Sequence, residues 1–278
     1  MSINLYEVIT QKIIEQLEKG VIPWRRPWSG NEPINYISRK TYRGINLMLL
    51  PFGGEYLSFK QCKDLGGSVR KGEKGYMIIF YKPLDIADED TGEVKTIPFL
   101  QYSKVFHLSQ CEGITSKIEP PSDNITVEPI QAAQSIIDGY INRSGVKMEH
   151  IKGNHRAYYT PDTDTITLPS IEQFTSMTEY YSTTYHEAAH STGHTSRLNR
   201  ITRAAAFGSE TYSREELTAE IAASMLMNTS GIEQPETFEN SVAYIGSWIK
   251  KLKEDTKAII TASGQAQKAV DLILGITA

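Results

Sequence analysis

The sequence predicts an α+β protein of two domains, an N-terminal α+β nucleic-acid-binding domain and a C-terminal domain organised around a metal-binding helix. Three observations carry this. Helix-like and strand-like periodicities alternate along the 278 residues, a length that suits two ordinary domains. The segment Thr184 to His194 contains His-Glu-x-x-His. The charge is also divided: residues 1–82 hold 13 Lys and Arg against 7 Asp and Glu, while residues 83–278 hold 16 against 26. A basic part of that size points to a polyanionic partner.

The expected domains are 1–112 and 125–278, joined by a linker at 113–124 rich in Gly, Ser and Pro. Residues 4–19 place Leu5, Val8, Ile9, Ile13 and Leu17 on one helical face, and Gly20 ends the helix. Trp24-Arg25-Arg26-Pro27-Trp28 follows, then Arg39-Lys40-Thr41-Tyr42-Arg43-Gly44-Ile45-Asn46. Aromatic rings interleaved with cations suit single-stranded nucleic acid, where rings stack on bases and cations take phosphates. Trp24, Trp28 and Tyr42 are the stacking candidates. Arg25, Arg26, Arg39, Lys40, Arg43, Lys71 and Lys74 are the phosphate candidates, and Asn46 is a polar contact. The same aromatics could instead be packing residues with solvated neighbours. Residues 58–65 read as a short helix. A hairpin is expected from Tyr76–Lys82 to Pro98–Phe106, with a long acidic tip.

The second domain begins with a helix at 126–143, followed by a strand near 146–151 and a hairpin of 157–159 with 165–168 across Pro161 to Asp164. From Met177 to Tyr185 no Pro or Gly interrupts, so a helix runs through the His-Glu-x-x-His to a stop at Gly193. Further helices are expected from Ser213, at 236–255 and at 257–274. This succession of sheet, edge hairpin and two site-bearing helices suits a zinc peptidase, whose edge strand can lie beside an extended peptide.

His186 and His190 share a helical face and can hold one Zn²⁺, while Glu187 reaches the position where a water sits. His186, His190 and His194 are three of six histidines, packed into nine residues. A third ligand is required. His194 continues the i, i+4, i+8 series, but it lies about 12 Å along the axis from His186, too far to close a tetrahedral site on one straight helix. Glu216 and Glu220 share one side of the next helix, where like charges repel unless a cation neutralises them. Glu216 is therefore the preferred third ligand, with His194 the alternative, and Glu220 orients a ligand histidine from behind. Ser213 as N-cap with Glu216 at the capping-box position offers Glu216 a purely structural role as well. Tyr212 is a candidate donor to an oxyanion.

Two cysteines, Cys62 and Cys111, make no disulfide framework, and the N-terminus has no signal-like block. A reducing cytoplasm and no membrane association are expected.

The chain resembles the ArdC-type antirestriction family over nearly its whole length. The resemblance rests on Pro23-Trp24, on Tyr42-Arg43-Gly44-Ile45-Asn46 and on Val69-Arg70-Lys71-Gly72-Glu73-Lys74. It continues in Asp164 to Pro169, in His186 to His194 and in Arg214-Glu215-Glu216-Leu217-Thr218-Ala219-Glu220. The family's Leu within the metal motif is Ala188 here, a packing change that leaves the ligands intact. The resemblance implies an N-terminal single-stranded-DNA-binding domain and a C-terminal zincin-like metallopeptidase domain. It also implies carriage on conjugative elements and protection of incoming DNA from host restriction. A host restriction enzyme or another protein would be the substrate. The competing reading is a non-catalytic protein that acts by covering DNA or docking on a host enzyme, with a structural or vestigial metal site.

Overall fold

The computed structural model describes residues 4–25, 32–87, 94–118, 128–201, 210–232 and 238–276. The helix expected at the N-terminus is α1 (Leu5–Glu18), with Ile9, Ile13 and Leu17 fully buried on one face. The chain divides into two units, Met1–Gln11 with Asn31–Ser122 and Lys12–Gly30 with Asp123–Ala278. Residues 12–25, placed by the sequence reading in the N-terminal domain, group by their contacts with the second unit.

The first unit contains β1 (Pro33–Asn35), α2 (Ile45–Leu49), β2 (Gly54–Ser58), α3 (Phe59–Asp64), β3 (Ser68–Val69), β4 (Tyr76–Ala87), β5 (Val94–His107) and β6 (Cys111–Glu112). Its main sheet has the order β1-β2-β5-β4, and β3 pairs separately with β6. The expected hairpin is the long antiparallel β4–β5 ribbon, in register from Tyr76↔Val105 to Ala87↔Val94. Ser58 and Gln61 form a reciprocal capping box that starts α3.

Tyr36, Leu57 and Cys62 form one core cluster, and Leu50, Tyr56 and Val105 another. Cys111 packs against the first, and both cysteines are free thiols. The expected linker begins later than its composition suggests. Ile114 packs on the first cluster, Thr115 O accepts from Tyr36 Oη at 3.0 Å, and Ser116 Oγ donates to Glu55 at 2.7 Å. Glu55 is 2% exposed and also accepts from Lys117 N at 3.0 Å and from the Arg39 guanidinium. Burial alone would raise its carboxyl pKa, but these donors outweigh burial and hold it below the ordinary range. Gly67 permits this closure, since a Cβ there would lie 2.5 Å from Ile114 and 2.7 Å from Glu112 O.

The second unit adds α4 (Pro129–Ser144), β7 (Lys147–Ile151), β8 (Tyr158–Thr160), β9 (Thr165–Pro169), α5 (Met177–Ser191), α6 (Glu210–Ser230), α7 (Phe238–Glu254) and α8 (Ala258–Leu274). Pro129 opens α4, and Gly145, in the left-handed region at φ 71°, ends it. The sheet order is β7-β9-β8, parallel on one side of β9 and antiparallel on the other, so β8 is an outer strand. Helix α6 begins at Glu210, so Ser213 lies within it and is not its N-cap. The capping-box role considered for Glu216 is thereby removed. Among the described residues no helix is long and apolar enough to cross a membrane.

One polar network ties the β8–β9 turn to the end of α5. Arg197 holds Asp164 with both terminal nitrogens, and its Nε donates to Ser191 O at 2.8 Å. Tyr159 Oη donates to Asp164 at 2.7 Å. Burial would raise the Asp164 carboxyl pKa; Arg197 and Tyr159 outweigh it and hold the group below its ordinary range. A folded-state pKa below the unfolded value stabilises above the ordinary carboxylate range, and the gain is lost as pH falls through the folded value. Asp164→Asn is expected to cost about 1.5–3 kcal/mol in urea unfolding at pH 7. The difference from wild type should close below about pH 4; an unchanged difference on acidification contradicts the assignment.

Candidate metal centre

Helix α5 is capped by Ser176, whose Oγ accepts from Glu179 N at 3.1 Å. Its buried face of Tyr180, Tyr181, Thr184, Tyr185, Ala188 and Ala189 fixes which way the intervening residues point. His186 and His190, one turn apart, then share a side. Helix α6 packs through Leu217, Ala219, Ile221 and Leu226, all nearly fully buried, which turns its glutamates toward those histidines.

The two Nε2 atoms lie 3.1 Å apart. Glu216 completes a triangle, its oxygens 3.6 Å from His186 Nε2 and 3.5 Å from His190 Nε2. Among the described residues this is the group of His, Cys, Asp or Glu side chains whose donor atoms could hold a metal ion, all within 4.8 Å of one another. Tetrahedral coordination with bonds of about 2.0–2.2 Å places ligand atoms about 3.3–3.6 Å apart, so the triangle has the size such an ion requires. His194 is not part of it. Its Nδ1 lies 2.8 Å from Ser196 Oγ and accepts from Ser196 N at 3.2 Å, closing the turn after the helix. Gly193 allows the chain to fold back there, because a Cβ would lie 2.7 Å from Ile201 and 3.1 Å from His190 O.

Behind each imidazole stands a carboxylate. His190 Nδ1 is 3.3 Å from Glu215 Oε1, and His186 Nδ1 is 3.8 Å from Glu220 Oε2. Donation from His190 Nδ1 to Glu215 leaves the Nε2 of His190 as the lone-pair atom facing the triangle, while Glu220 stands at ion-pair distance from His186 Nδ1. Each carboxylate is held by an arginine. Arg200 grips Glu215 at 2.8 and 3.0 Å and is itself anchored on Thr192 Oγ1 and Ala189 O. Arg25 holds Glu220 Oε1 at 2.7 and 3.2 Å, leaving Oε2 toward His186. Burial would raise the Glu215 pKa, but His190 and Arg200 outweigh it and hold the carboxyl low. Burial would lower the His186 pKa; hydrogen bonding to Glu216 and the charges of Glu187 and Glu220 instead push it up to about 9. The centre therefore draws positive charge. Glu187 is 7% exposed and makes no hydrogen bond to another described residue, unlike Glu215 and Glu220.

Glu215 and Arg200 are functional neighbours that the sequence reading missed. A Glu beside the proposed ligand was the available signal. The nucleic-acid candidates scatter. Trp24 is 4% exposed, edge-on to Trp248 at 6.4 Å, and Arg25 is committed to Glu220. Both support the second unit, because an indole so covered has no free face for a base. Arg39 is paired with buried Glu55. Tyr42 is half-buried against Tyr56, and Asn46 clamps Ile79 N and O at 2.8 Å each. Lys40, Arg43, Lys71 and Lys74 are exposed. Arg26, Trp28 and the side chain of Tyr212 lie outside the described residues.

Comparisons with known proteins agree with both halves of this architecture. A model of the N-terminal domain of the anti-restriction factor ArdC matches residues 3–106, and a zincin-like metallopeptidase model matches residues 135–265. The crystal structure of antirestriction ArdC protein from plasmid R388, metal-free, is 36% identical with a TM-score of 0.77, covering 98% of this chain and 97% of that one. Its Mn(II)-bound form gives 33% identity and a TM-score of 0.78, covering 99% and 98%. DNA primase TraC of Escherichia coli is 36% identical over 97% of this chain, which spans only 20% of that protein's length. The uncharacterized protein y4eC of Sinorhizobium fredii (strain NBRC 101917 / NGR234) is 31% identical over 96% of this chain and 91% of its own. On its two domain matches and its full-length likeness to a solved member, the chain belongs to the ArdC antirestriction family, with an ArdC N-terminal domain followed by a zincin-like domain.

Proposed function

We propose that this protein protects incoming DNA of a conjugative or mobile element from host restriction, acting in the cytoplasm through two activities. The N-terminal domain binds single-stranded DNA without sequence preference. The C-terminal domain is a zinc-dependent peptidase acting on a host restriction enzyme or another host protein. The observation that carries the second activity is the donor triangle of His186, His190 and Glu216 beside a buried Glu187 that bonds no other described residue. Two imidazoles and a carboxylate suit Zn²⁺.

When bound, the cation supplies Lewis-acid polarisation of a carbonyl and of a water. Glu187 takes the proton of the attacking water as its oxygen bonds to the scissile carbonyl carbon. Glu187 then delivers that proton to the departing amine nitrogen as the C–N bond breaks. Glu215 and Glu220 hold the two rings so that neither turns its Nε2 away. Tyr212 is the proposed donor to the oxyanion. The outer strand β8 offers backbone for an extended substrate.

Two measurements test this reading. In chelator competition, His186→Ala or His190→Ala is expected to abolish stoichiometric zinc binding, and Glu216→Ala to weaken it severely. Glu215→Ala and Glu220→Ala should each weaken it about 10–100-fold. His194→Ala should leave it unchanged, and loss of metal in that variant with retention in Glu216→Ala refutes the ligand set. Separately, Glu187→Gln should retain zinc and single-stranded-DNA affinity while lowering peptide turnover about 10²–10⁴-fold. Protection of DNA entering a restricting host should fall with it. Full protection by Glu187→Gln would assign the function to binding alone.

A further inference from the structure

The second unit holds a cavity of about 380 Å³ between the turn at 198–200, the side of α6 that carries Arg214, Glu215 and Thr218, and α8. Its floor is covered: Thr218, Ala258 and Ala262 are buried, and the side chains of Arg200 and Glu215 are 8% and 15% exposed. Its turn wall is sewn to the end of α5 by backbone bonds. Leu198 N donates to Thr192 O at 2.9 Å, Asn199 N to His194 O at 3.0 Å and Arg200 N to Gly193 O at 2.9 Å. Such a wall is formed in advance, as ligand sites usually are. From α8, Thr261, Gln265 and Lys268 follow one another at i, i+4 and i+7 along the side that lines the cavity. The side chains of these three and of Asn199 make no hydrogen bond or ion pair among the described residues.

We infer that this cavity is a binding site for a small organic anion, a carboxylate or phosphate monoester with a compact apolar body. Lys268 supplies an ammonium for the charged group, and Gln265, Asn199 and Thr261 supply neutral donors. Leu198, Ala258 and Ala262 give the body an apolar surface. Arg214 also lines the cavity, with Asp255 on one of its nitrogens at 2.8 Å. The one acid in the lining, Glu215, is already engaged at both oxygens by Arg200, at 2.8 and 3.0 Å. In the complete sequence, residues 198–218 and 255–268 hold five Lys and Arg against four Asp and Glu, and one of those acids, Glu216, belongs to the metal triangle. Residues 123–278 as a whole hold 13 against 19, so the cavity is a positive place in an acidic stretch. Its volume is near the lower end of the roughly 300–1,000 Å³ of small-molecule pockets. That suits one ring and one charged group, not a peptide or an oligonucleotide. The site meets the metal centre only through Glu215, which is 3.3 Å from His190 Nδ1, and the inference does not depend on the peptidase reading.

The test is titration calorimetry and thermal unfolding of the full-length protein, both zinc-loaded and chelator-treated. The probes are phenyl phosphate, benzoate and inorganic phosphate, with benzyl alcohol as the uncharged control. Saturable binding of phenyl phosphate or benzoate is expected with and without zinc, with a Tm that rises with probe concentration. The tighter of the two tells a phosphate site from a carboxylate site, and inorganic phosphate, which lacks the apolar body, should bind more weakly than phenyl phosphate. Lys268→Ala should weaken binding about 3- to 10-fold, the loss of one charge-assisted hydrogen bond at an exposed lysine. Lys268→Arg should keep most of the affinity. Thr261→Trp, at an exposed position on the rim, should block the cavity and abolish binding with the helical circular dichroism unchanged. Binding that requires zinc puts the anion on the triangle and overturns the site. Unchanged affinity in both Lys268→Ala and Thr261→Trp overturns it as well, as does the absence of saturable binding by any of the three anions. Equal binding of benzyl alcohol would make the cavity an apolar hole and not an anion site.

Discussion

Everything distinctive about the second domain depends on the packing of α6 against α5. That contact sets Glu215, Glu216 and Glu220 beside His186 and His190, with Glu187 on the same stretch of α5. Four carboxylates gathered beside a helix interface repel one another and lose hydration, a cost that is tolerable only with matched positive charge. Arg25 and Arg200 supply two charges from outside the triangle. The formal balance remains two positive charges short, which is the charge of a divalent cation. The upward displacement of the His186 pKa expresses the same shortfall, since a proton is the cheapest positive charge that the imidazole can recruit.

The two arginines divide the work of orientation. Arg200 is anchored to the end of α5 itself through Thr192 and Ala189, which ties the segment after Gly193 to that helix. Arg25 comes from the far end of the sequence, beside Trp24, which packs on Trp248. A residue 195 positions from Glu220 thus holds the carboxylate that faces His186. The segment after α1 is therefore part of the second unit's framework.

The gathering of His186, His190 and Glu216 was legible in the sequence. The spacing of His186 and His190 places them on one helical face, and the like charges of Glu216 and Glu220 at i, i+4 ask for a cation. The β4–β5 hairpin and the helices of the second domain follow from periodicity. What periodicity lacks is long-range pairing. Trp24-Arg25 beside a basic stretch reads as a nucleic-acid contact, yet the same residues serve equally well as a buried ring and an ion-pair partner. Ser213 carries every local mark of an N-cap, but α6 starts at Glu210, and that misplacement hid Glu215. Periodicity does not tell which rings of Tyr76 to Lys82 are covered, because the segment is apolar on both faces of its strand. Only the position of the cover, over Tyr76 and Ile78 and not beyond, distinguishes core rings from bare ones.

The central claim is that one divalent cation is held by two imidazoles of α5 and a carboxylate of α6. X-ray absorption at the zinc edge of the loaded full-length protein measures this directly. The account predicts two imidazole nitrogens at about 2.0–2.1 Å with light oxygen donors completing the shell. A third imidazole, lost on His194→Ala, or a shell of oxygens alone, would contradict it.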